Sequence, residues 1–254
     1  MIAEDPFHNP HEIHLNDDLA NIQFRHIWNY NYDRYFQDIQ YNGKTLSDEE
    51  RRDFVAYLDQ TIEQYTEGIP LMNEALENSR DHHDEYHECE RSVVSIMFFV
   101  LITMIDSLVA SKYFLLADKD YDRRFMRGKL MVILNEGFKR LYGFGTNKSE
   151  WAKLKPWMTH FPEAIQSQYH ELSLLLNNDA QTSWWKNERD YEVHFDVVNL
   201  YASRQEEIVE SKVMMDMMKL FSRLQAVNDF LSNVHTCFFN YLVGKYKRGE
   251  LVEE

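Results

Sequence analysis

The sequence predicts an all-α fold, an elongated bundle of about seven helices. Three observations carry that expectation. Only 8 Gly and 5 Pro occur in 254 residues, so the usual residues of turns and strand ends are scarce. Apolar residues recur at three- and four-residue spacing over long stretches. No run alternates apolar and polar residues as a half-buried strand requires.

Taken in order, residues 1 to about 15 lack apolar periodicity and read as an irregular lead-in. His8, His11 and His14 are spaced as HxxHxxH, but no carboxylate or thiolate cluster accompanies them, so they read as surface histidines rather than a metal site. Asn16, Asp17 and Asp18 open a first helix that carries Ile22, Ile27, Tyr30 and Tyr35. SDEE at 47 to 50 is a capping box and starts a second helix, expected to stop at Gly68 and Pro70. From Leu71 to about Ala117 no breaker intervenes, predicting one very long helix or two end to end, polar first and then deeply apolar. Asp106 and Lys112 interrupt the apolar run before a bilayer-spanning length, which marks a buried core helix. Further helices are predicted over 119–142, over 162–176 with Pro162 in the first turn, from the 187 region to about 203, and from about 205 to 246. The stretch NNDAQTS should interrupt the fifth of these, and the segment from 143 to 162 should be loop with a single turn. The last helix has one apolar stripe: Val213, Met217, Leu220, Leu224, Val227, Leu231, Val234 and Phe238. Residues 1–70 are thus expected to form a lead-in and helical extension, and 71–254 the bundle.

Composition narrows function. The net charge of −15 opposes nonspecific coating of nucleic acid, which depends on Lys and Arg displacing counterions. Between Arg123 and Lys155, however, nine basic residues face two acidic ones, so Arg123, Arg124, Arg127 and Lys129 stand as candidate RNA-binding residues on a local basic face. Two cysteines, Cys89 and Cys237, and the absence of an export signal at the start of the sequence lead to the expectation of a reducing cytoplasm and no membrane span. Glu-x-x-His pairs of the kind that build a di-metal bundle do not occur, the nearest being Asp84-x-x-His87, and neither do P-loop, GxGxxG, GxSxG or HExxH motifs. No metal and no cofactor is expected.

The chemistry-bearing stretch is NERDYEVHFD at 187 to 196. Asn187 suits an N-cap and puts Arg189 in the first turn, where backbone amides already favour an anion. Asp190 and His194 are i and i+4, neighbours on one face, so the carboxylate can orient the imidazole. A second pairing, Arg80 with His87, falls in a continuous polar helix and reads as fortuitous. Trp184 and Trp185 just ahead can stack a base or anchor the helix start.

These residues, Arg189, Asp190 and His194, with Asp106 as a buried upstream acid on the apolar helix, resemble the HEPN superfamily over about 71 to 246. The resemblance implies a HEPN-like helical core, a homodimer whose two motifs face one cleft, and metal-independent endoribonuclease activity in the active members, here in stress or phage defence. His194 would serve as general base or acid for attack by a ribose 2′-hydroxyl. Arg189 would hold the phosphate oxygens, Asp190 would orient the histidine, and Asp106 would anchor Arg189. A tyrosine found two positions after the histidine in one toxin subgroup is Asp196 here, which sets the chain apart from that subgroup. A neutralising protein partner is compatible with this reading but not identified by it. The alternative is a noncatalytic HEPN-like interaction or scaffold protein.

Overall fold

The computed structural model describes residues 46–81, 85–142, 149–182 and 210–248, and Ser47 caps its first helix. Its hydroxyl accepts from the Glu50 amide (3.2 Å), while Glu50 Oε2 accepts from the Ser47 amide (2.7 Å). The capping box therefore satisfies two otherwise orphaned donors, and helix α1 follows as Asp48–Thr66. Helix α2 is Gly68–Asn78. α1 ends just before Gly68, as expected, but Gly68 and Pro70 then open α2 rather than a loop. Proline is tolerated there because the first-turn amides have no intrahelical acceptor to lose.

The long stretch beyond is two helices with an interruption. Ser79 ends α2, its amide bonded to the carbonyl of Ala75, and Arg91 donates to the Ser79 carbonyl from the next helix. Helix α3, Glu85–Leu116, is the apolar one. By length and composition it could cross a membrane, yet 61% of its apolar window is buried within the bundle. It lies at the centre, packed against α1, α2, α4 (Asp120–Tyr142) and α7 (Glu210–Lys247). Between α4 and α7 come the one-turn helix α5 (Glu150–Lys153), a 3-10 turn (Trp157–His160) and α6 (Glu163–Thr182). The expected break at NNDAQTS does not occur before Thr182, because Asn, Asp and Gln cost a helix only tenths of a kcal/mol each when neither Gly nor Pro accompanies them (roughly 0.7 at most).

The core is continuous across these helices. Val93, Val100, Met104, Leu108 and Phe114 of α3 are buried with Leu130, Leu134, Phe138 and Leu141 of α4, Ile165 and Leu172 of α6, and Leu58 of α1. On α7 the predicted stripe is the buried one: Val213, Met217, Leu224, Val227, Leu231, Val234 and Phe238 are each buried, Leu220 lying outside the side chains described. Among the described residues there is no strand, and the all-helical bundle stands.

Close approach of α3 and α4 depends on Gly137. A Cβ added there would meet Thr103 Cγ2 at 2.4 Å, and Thr103 is buried, with its hydroxyl tied to the Phe99 carbonyl (2.8 Å). Gly137→Ala would gain about 1 kcal/mol in helix propensity and lose about 1–3 kcal/mol to overpacking. We expect a net destabilisation of up to about 2 kcal/mol in urea titration, relieved when Thr103→Ala is added.

Candidate functional site

Arg189, Asp190 and His194 lie outside the described residues, as do Trp184, Trp185 and the three N-terminal histidines. Asp106 is described. It is not the buried acid that the sequence suggests: it sits past the middle of α3 on the side turned to solvent, makes no hydrogen bond or ion pair with a described residue, and has its carboxyl pushed up from the usual range by partial burial. The folded chain therefore holds that proton more tightly than the unfolded chain does, so Asp106 opposes folding as pH rises through its titration range.

What surrounds Asp106 is apolar. Successive turns of α3 put Phe98, Ile102, Ile105, Val109, Tyr113 and Leu116 on the same outward arc, and none of them is fully buried. Tyr113 and Leu116 are 50% and 49% exposed. At the corner where α3 passes to α4, Tyr113, Leu116, Ala117, Asp122, Phe125 and Met126 line a pocket of about 280 Å³. Sequence periodicity could not separate this arc from the core arc, because both sides of α3 carry the same residue types.

Three of the four candidate RNA-binding residues share one arc of α4, and the fourth lies apart from them. Taking about 100° per residue, Arg127 lies about 40°, Arg124 about 100° and Lys129 about 240° from Arg123. Arg123, Arg124 and Arg127 are each half-buried, and Lys129 is exposed with its ammonium over the Phe125 ring (5.2 Å). Further along, Arg140 lies over Phe99 (5.1 Å), and Lys153 pairs with Glu150 (2.7 Å).

Arg123 has a particular engagement. Its Nη1 is 2.8 Å from Glu210 Oε1, and its Nε donates to the Ala117 carbonyl (2.7 Å). From α1, Arg51 Nη2 donates to both oxygens of the same carboxylate (3.0 and 3.1 Å). Glu210 is 2% exposed and is the first residue of α7, where a negative charge also meets the positive end of the helix dipole. Two guanidiniums on one buried carboxylate thus join α1, α4 and α7. Sequence reasoning missed this cluster, since no local pattern links residues 159 apart.

A second polar group lines the inner side of α7. Tyr65 donates to Gln225 Oε1 (2.5 Å), Gln225 donates to the fully buried Asp229 (3.0 Å), and one turn on Asn233 donates to Gln168 (3.2 Å). These bonds satisfy polar atoms that burial would otherwise penalise. Neither cysteine is a candidate nucleophile: Cys89 is buried, and burial pushes the Cys237 thiol up to about 12. Among the described residues no group of three His, Cys, Asp or Glu side chains is placed to hold a metal ion.

No protein-family model matches this chain, and no curated protein or solved structure matches it either. Function must therefore be argued from these surfaces. Two are chemically distinct: a closed ion cluster at the start of α7, whose charges are engaged with each other, and an open apolar arc on α3 with one acid in it.

Proposed function

We propose that this chain is a noncatalytic helical interaction protein that binds through the outer arc of α3. The observation that carries the reading is the residue content of that arc. A helix of a soluble bundle normally turns polar residues to water, and one that is apolar all round is covered on all sides in its working state. Over Phe98 to Leu116 the outward arc is apolar, with Asp106 at one edge and Lys112, paired with Asp59, at the other. The engagement of the cations supports the same reading, for Arg123 is held by Glu210 and Lys129 lies on a different side of α4 from the three arginines, whereas binding an RNA backbone calls for free cations gathered on one face.

The second reading is a HEPN-type, metal-independent endoribonuclease acting as a homodimer. It rests on the RDYEVH motif, with Arg189 for the phosphate, His194 for proton transfer and Asp190 to orient the imidazole. One assay separates the two. Labelled RNA is incubated with the purified full chain in EDTA, beside His194→Ala. We expect the RNA to stay intact with both proteins; cleavage by the wild type that disappears in His194→Ala would replace the interaction reading with the nuclease.

A further inference from the structure

We draw no further inference here: the strongest candidate, the half-buried outer face of α3 with its pocket at the α4 corner, carries nothing beyond the reading above, because nothing in the structure shows what covers it.

Discussion

Glu210→Ala should lower the unfolding free energy by about 3–5 kcal/mol, the cost of stranding buried charge when its partner is removed. Glu210 is 2% exposed and holds Arg51 and Arg123, whose side chains are only 21% and 18% exposed. Without the carboxylate, two guanidiniums from α1 and α4 face each other with no anion between them. Arg51 is the more vulnerable. Its Nε is already buried without a hydrogen-bond partner among the described residues, and its other contact, to Asp48, is long at 3.9 Å, whereas Arg123 keeps its bond to the Ala117 carbonyl. The midpoint of urea denaturation, followed by circular dichroism, measures the loss. Replacing Arg51, Glu210 and Arg123 together by Met should recover most of it, since apolar side chains of similar volume remove the charges and the desolvation penalty at once. A triple variant no more stable than Glu210→Ala would mean that the cluster holds the helices by a geometry that packing cannot reproduce.

Trp151→Ala should cost a comparable amount, about 3–5 kcal/mol, for a different reason. Trp151 is 2% exposed on the single turn of α5 and is stacked on Tyr169 of α6 (4.9 Å between ring centres, 15° between planes) and tilted against Phe230 of α7 (5.4 Å). Its indole nitrogen donates to Ser173 Oγ (2.8 Å), and its carbonyl accepts from the Tyr169 hydroxyl (3.2 Å). Four residues make too short a helix to persist alone, so this cluster is what holds α5 between α6 and α7. Trp151→Phe should fall in between, because it keeps an aromatic ring in the cluster while losing the indole donor. Urea denaturation of the three proteins ranks them, and an alanine variant as stable as wild type would show that the neighbouring rings close over the cavity.

Helix ends were legible where a side chain caps the backbone locally. Ser47 with Glu50 announces the start of α1, and the inward stripe of α7 follows from spacing alone, because both are decided within a few residues. Gly68 and Pro70 marked the end of α1 but not the start of α2 on the same residues, and NNDAQTS misled outright: a proline or a polar run acts differently in a first turn or a packed helix than in an exposed interior, and only the surrounding helices decide which it meets. The candidate site divides the same way. Asp106 was legible as an isolated acid in an apolar helix, but its outward position was not, since α3 is apolar on both sides and periodicity carries no sign.

Local order determined the helical class, most of the helix limits and the identity of the central apolar helix, because hydrogen bonding, capping and 3.6-residue spacing act over a few residues. Tertiary packing alone decided that Arg51, Arg123 and Glu210 meet, that Gly137 lets α4 approach Thr103, and which arc of α3 the other described helices leave uncovered. Those are matters of which distant surfaces come into contact, and burial of apolar area, which drives that contact, has no direction that a single helix can encode.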